Sequence, residues 1–234
     1  MRRYYMTKFK QIYQEVEKIL ASDHSGHNMD HIERVIHLAT TFAREKDVDQ
    51  EVVYLAALLH DVDDYKLVGA KQAETLTTTK RLLKIADVTT FQRKEVLEII
   101  ETMGYSKSLK GIRPTTLEGQ IVSDADMCDA IGASGILRAY QYSLSQQEPF
   151  FDKNIWPIEA INSAQYRTRS EGTTVCHFFE KLLLIKNLII TKEGKREAAK
   201  RHQVMVDFLF QFFEEECVPD WQKYLTEFLE KYQA

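Results

Sequence analysis

Apolar residues recur along the chain at the three-and-four spacing of helices buried on one face, and nowhere at length in the alternation of strands. Residues 7–20 carry Phe9, Ile12, Tyr13, Val16, Ile19 and Leu20 between charged positions. After a polar turn around Gly26, a second stripe runs through Ile32, Val35, Ile36, Ala39 and Phe42. Asp49 to His60 is apolar at nearly every position after Glu51, which predicts a helix pressed into a core. Two more amphipathic helices are predicted over 71–85 and 91–103, with Asp87-Val88-Thr89-Thr90 as break and cap. Gly104 to Pro114 reads as a basic loop. A core helix with three aspartates opens at Leu117, and its apolar pattern continues through Ile136, Leu137 and Tyr140. Periodicity lapses over 145–172, where Pro149, Pro157 and Gly172 act as breakers; irregular stretches of that length are often functional. It returns over His177–Ile185 and again through Val204, Phe208, Leu209, Phe212 and Phe213, the aromatics reading as core. A last short helix begins at Pro219 and Trp221. The fold class is all-α.

Composition narrows the function more than the fold. A chain of 234 residues with 44% hydrophobic and 28% charged residues can bury a sizeable core, and its 9 Gly and 4 Pro leave helices free to dominate. A net charge of -4 offers no electrostatic footprint for nucleic acid or an anionic membrane, so a negatively charged substrate must be met by local Lys and Arg. Cys128, Cys176 and Cys217 lack metal-site or disulfide spacing, which fits a reducing cytoplasm. Residues 1–20 contain no signal-peptide core, and no apolar run approaches the roughly 20 residues that cross a bilayer. The expectation is a soluble cytoplasmic protein with no membrane or nucleic-acid partner.

The candidate chemistry begins at Leu58-Leu59-His60-Asp61, where a charged pair closes an apolar helix. Buried ionisable groups are costly unless paired or bound to a metal. Imidazole with carboxylate suits Mn, Fe, Co, Ni or Zn. Adjacent residues in a helix diverge by about 100°, so this pair can chelate only where the backbone turns at a helix end. A third ligand would come from the His27–His31 region, whose two histidines share a face if the helix has begun at His27. A fourth would come from Asp124, Asp126 or Asp129. His37 points elsewhere.

Four blocks carry a resemblance: Gly26–Val35, Ala57–Lys66, Glu118–Ala133 and His177–Leu183. Together they resemble the HD-domain phosphohydrolase superfamily, and within it a bacterial subfamily that includes nucleotide pyrophosphatases. The match spans about 22–215. It implies a single HD-type helical domain over 1–234, with a metal-binding core at about 22–143, the loop 145–172 and C-terminal helices at about 174–232. It implies His31, His60, Asp61 and Asp126 as ligands of one divalent ion, with Mn or Mg favoured for activity among Mn, Mg, Fe, Co, Ni and Zn. Two-metal relatives take extra histidines from the interval between Asp61 and Asp126, which here holds none. Asp64 falls where related nucleotidases place an acidic catalytic residue that orients water or moves its proton. Substrate contacts are assigned to His27, Lys66, Lys107, Arg167, His177 and Lys181, the last two on one helix face; Arg169 is a further phosphate candidate. Two positions depart from close relatives: His27-Asn28-Met29 stands for His-Asp-Trp, and Asp63 stands for Gly, adding a negative charge beside the site.

The implied function is phosphohydrolysis of a nucleotide, a nucleoside triphosphate first, by metal-activated water. A cyclic-nucleotide or alarmone hydrolase and a non-catalytic nucleotide sensor are the alternatives. The oligomeric state is not specified.

Overall fold

The computed structural model describes residues 2–21, 28–158 and 172–232. Among them are helices and no strand, so the architecture is all-α. The chain divides into two compact units, Met1–Asp126 and Met127–Ala234, with the division inside one helix.

The first unit opens with α1 (Arg2–Lys8), α2 (Lys10–Leu20), α3 (Met29–Phe42) and α4 (Gln50–Leu59). Short α5 (Tyr65–Val68) and α6 (Ala70–Thr75) lead into α7 (Thr77–Ile85) and α8 (Thr90–Thr102). A single-turn α9 (Tyr105–Ser108) precedes α10 (Leu117–Asp129). The unit is built around α4, which packs against α2, α3 and α8. Its start is set by Asp49, whose side chain accepts from the Glu51 and Val52 amides, a cap worth about 1 kcal/mol. Every residue from Val52 to Leu59 is fully buried, as expected for a helix apolar all round. Each of its leucines contributes roughly 1.5–3 kcal/mol by leaving water. Tyr54 meets the rings of Tyr5 and Phe9, with centroids at 5.4 and 5.8 Å, which fixes the amino-terminal helices on the same core.

Three boundaries differ from the spacing. The first helix is two, broken at Phe9. The helix predicted over 71–85 is also two, because Leu76 takes a left-handed conformation at φ 48°, ψ 44°. The basic loop after Gly104 contains α9.

In the second unit the long pattern from Leu117 stops at Asp129 and restarts as α11 (Gly132–Ser145). Gly132 makes the break. Its φ of +81° and the 2.9 Å that would separate an added Cβ from Arg201 Cβ both demand glycine. Next come α12 (Thr174–Glu180), a 3₁₀ helix (Leu182–Leu188), α13 (Lys192–Glu215) and α14 (Pro219–Lys231). The last is 13 residues long, not short. Helix α13 is the spine, packing against α11, the 3₁₀ helix and α14. The described part of the irregular stretch is pinned to this unit. Phe151 packs edge-on against Trp221, Trp156 stacks on Trp221 at 4.2 Å, and the Trp221 indole N–H donates to the Lys153 carbonyl. Phe213 is buried in the core, and half-buried Phe208 and Phe212 meet Phe150 edge-on.

Candidate metal centre

Three helices of the first unit bring four donor side chains to one point. His31 lies in the first turn of α3, where the Asn28 side chain accepts from its amide at 3.3 Å and fixes where the helix begins. His60 closes α4, still in helical backbone at φ -61°, ψ -29°. The chain then turns, with Val62 N–H donating to Leu59 and Asp64 N–H to Asp61, so that Asp61 swings back beside His60. Asp126 comes from α10.

The two imidazole Nε2 atoms are 3.2 Å apart. Asp61 Oδ2 lies 3.3 Å from His31 Nε2 and 3.5 Å from His60 Nε2. Asp126 Oδ1 lies 3.6 and 3.7 Å from the same two nitrogens. Donors held about 2.1 Å from a cation stand about 3.0 Å apart in an octahedron and about 3.4 Å apart in a tetrahedron. The observed separations, 3.2 to 3.7 Å, lie around and just above the tetrahedral value, so a small inward movement of the carboxylates would close the cluster on a divalent ion.

Chemistry supports the same fit. His60 Nδ1 is 2.9 Å from the Ala57 carbonyl, which can only accept. That contact puts a proton on Nδ1 and turns Nε2 into the cluster, the usual way a ligating histidine is oriented. Burial works against the His60 imidazolium, yet Asp61 and Asp126 raise its pKa to about 9. Burial likewise works against the Asp126 carboxylate, and His60 nonetheless holds its pKa below the ordinary value. Two carboxylates closing on two imidazoles call for positive charge at their centre.

The sequence matches the HD domain model over residues 28–131. It is 30% identical over 203 residues to the uncharacterized protein YpgQ of Bacillus subtilis, covering 86% of this chain and 90% of that one. The chain belongs to the HD-domain family. Among solved structures, a Lactobacillus plantarum protein superposes with a TM-score of 0.77 at 39% identity, covering 90% of this chain and 97% of the other. An HD-superfamily hydrolase from Bacillus thuringiensis gives 0.65 at 31%, with 90% and 97% coverage. The crystal structure of YpgQ in complex with ADP gives 0.67 at 25%, with 90% and 96% coverage.

The other candidate residues of this HD domain lie on several elements. Asp64 follows the ligand turn, and its carbonyl accepts from the Leu67 and Val68 amides as α5 begins. Lys66 lies on α5. Lys107, on α9, donates to the Ile100 carbonyl at 2.8 Å, and burial lowers its pKa from the ordinary lysine value. His177 and Lys181 belong to the second unit and do not share a helix face, because α12 ends at Glu180 and Lys181 leaves helical geometry at φ -143°. His27, Arg167 and Arg169 lie outside the described residues, and α3 begins at Met29.

The three aspartates of the third block part company. Asp126 joins the imidazoles, while Asp124 is buried on the same helix. Asp129 is fully buried and accepts from Arg138 Nη1 at 3.1 Å, with Arg201 Nη1 4.0 Å away. Its role is structural.

Two features at the site carry no plain mark in the sequence. One is the Ala57 carbonyl, which a histidine on the last turn of a helix can reach three residues back. The other is Asp63, which is buried and turned to α7: its Oδ1 accepts from the Thr78 amide at 3.1 Å, and its Oδ2 from the Thr79 amide and hydroxyl at 2.7 and 2.8 Å. The charge anticipated beside the site is satisfied by three donors.

Proposed function

We propose that the chain is a metal-dependent phosphohydrolase of nucleotides, with a nucleoside triphosphate as substrate and one divalent ion, Mn or Mg, held by His31, His60, Asp61 and Asp126. The observation that carries this reading is the convergence of two imidazoles, one of them oriented by a backbone carbonyl, and two carboxylates from three helices of an HD domain. Hydrolysis is supported by the HD-superfamily hydrolase from Bacillus thuringiensis, and a nucleotide ligand by the ADP complex of YpgQ. Cys128 and Cys176 are buried thiols outside any disulfide, which supports a reducing cytoplasmic setting.

A divalent ion bound there would supply a Lewis acid for a phosphoryl oxygen and acidify a water. The protein's own part is to place the reactants. The Ala57 carbonyl keeps the His60 ring in one tautomer, so its Nε2 stays a donor atom rather than a proton source. Asp64, three residues beyond Asp61, orients the attacking water and takes its proton as the new P–O bond forms and the bond to the leaving phosphate breaks. A Lys or Arg side chain would offset the charge of that leaving group.

A phosphate- and pyrophosphate-release screen over nucleoside mono-, di- and triphosphates with Mn²⁺ or Mg²⁺ tests the reading. Asp61→Ala is expected to lose bound metal and turnover together, and metal-dependent turnover surviving in that variant overturns the ligand set. Asp64→Ala is expected to keep its metal and lose turnover by about 100-fold or more, the usual range for a general base.

A further inference from the structure

We infer that Asp63 is a positioning residue for the metal centre, clasping the turn that presents Asp61 and Asp64 onto the start of α7. The inference rests on the metal-site reading above. Across the turn from α4 to α5, Val62 N–H donates to Leu59 at 3.3 Å and Asp64 N–H to Asp61 at 3.0 Å. A metal site is well formed only when its donors sit within about 0.2 Å of their places. A bond from this turn to a separate helix anchors it.

Asp63 supplies that anchor. Both oxygens of its side chain bond to the first turn of α7. Helix α7 needs this partner. Its own flanking residue is Leu76, which has no side-chain acceptor and adopts a left-handed conformation that also ends α6. The first amides of α7 would otherwise lack acceptors, and Asp63 caps them from far upstream. Its negative charge also meets the positive end of α7, which strengthens the clasp and turns the charge away from an incoming polyphosphate. One carboxylate thus closes the loop from 64 to 77 at its base and fixes the residues on either side of itself, Asp64 directly and Asp61 through Val62.

The test is Mn²⁺ binding to the full-length protein, read as free ion by electron paramagnetic resonance and well below the melting temperature of every variant. Asp63→Ala is expected to weaken Mn²⁺ binding by about tenfold or more, as loss of an outer-shell partner does elsewhere. Asp63→Asn, which keeps one acceptor oxygen, is expected to recover part of that loss. Thr89→Ala removes the capping box of α8, a comparable helix cap with no bond to the turn, and is expected to bind Mn²⁺ within twofold of wild type. Should Asp63→Ala fail to fold, Thr79→Val removes one clasp bond while sparing the carboxylate. It is expected to bind more weakly by about threefold, with Thr79→Ser like wild type. Wild type binding Mn²⁺ with Asp63→Ala within twofold of it overturns the clasp alone, and so does an equal loss in Thr89→Ala. A wild-type protein that holds no Mn²⁺ overturns the metal-site reading and the clasp's role with it.

Discussion

Acid should unfold the protein partly through one histidine far from the proposed chemistry. His202, on α13, is 7% exposed, and burial together with Lys186 lowers its pKa to about 4, with the Leu183 carbonyl pulling the other way. In the unfolded chain a histidine titrates near about 6.5. Above that pH His202 is neutral in both states and contributes nothing. As pH falls from about 6.5 toward about 4, the unfolded chain takes up a proton that the folded chain refuses, so stability declines on acidification. The slope is about 1.4 kcal/mol per pH unit, which gives about 2 kcal/mol between pH 7 and pH 5 and about 3 kcal/mol by pH 4. Against total stabilities of about 5–15 kcal/mol, that is a large share. Urea denaturation at pH 7 and pH 5 measures it by comparing wild type with His202→Gln, which offers the Leu183 carbonyl an amide donor and cannot titrate. All other groups, including His60 with its raised pKa, enter both proteins alike and cancel. Wild type should lose about 2 kcal/mol more than the variant over that interval. Equal losses would refute the argument.

Three further outcomes are expected. Arg138→Ala takes a guanidinium from the buried Asp129 carboxylate, and should cost about 3 kcal/mol in urea denaturation, whereas Lys223→Ala removes an exposed pair and should change stability by less than about 0.5 kcal/mol. Gly132→Ala forces a Cβ against Arg201 in a backbone region hostile to side chains, and should cost about 2 kcal/mol or more. Binding of Mn²⁺ should raise the melting temperature of wild type and leave that of Asp61→Ala unmoved, as differential scanning calorimetry would show.

The helical class was legible because burial on one face leaves a period in the sequence, and α4 was plainest because it is apolar all round. Where the backbone turns left no comparable trace. Leucine is no turn former, so the break at Leu76 is set by α7 taking its cap from Asp63, a contact the fold alone creates. At Gly132 the glycine was visible, yet the apolar pattern runs on through Ile136 and Tyr140 because both helices bury faces of the same period. At the site, His60 and Asp61 stood out as charges ending an apolar helix, and choosing among three aspartates needed the family's block. The direction of a charge was not readable. Lys107 looked like any loop cation, but its ammonium is engaged by the carbonyl of Ile100. Nor did Asp63 announce that its carboxylate faces α7.

The stacked indoles of Trp156 and Trp221 have an optical consequence. They are the chain's 2 tryptophans, and both lie beyond Asp126, with parallel rings 4.2 Å apart. Indole emission and the exciton signal of the pair therefore report on a single contact, that between the irregular segment and α14. The first unit, which holds the proposed ion, has only tyrosine as a native fluorophore with a useful yield.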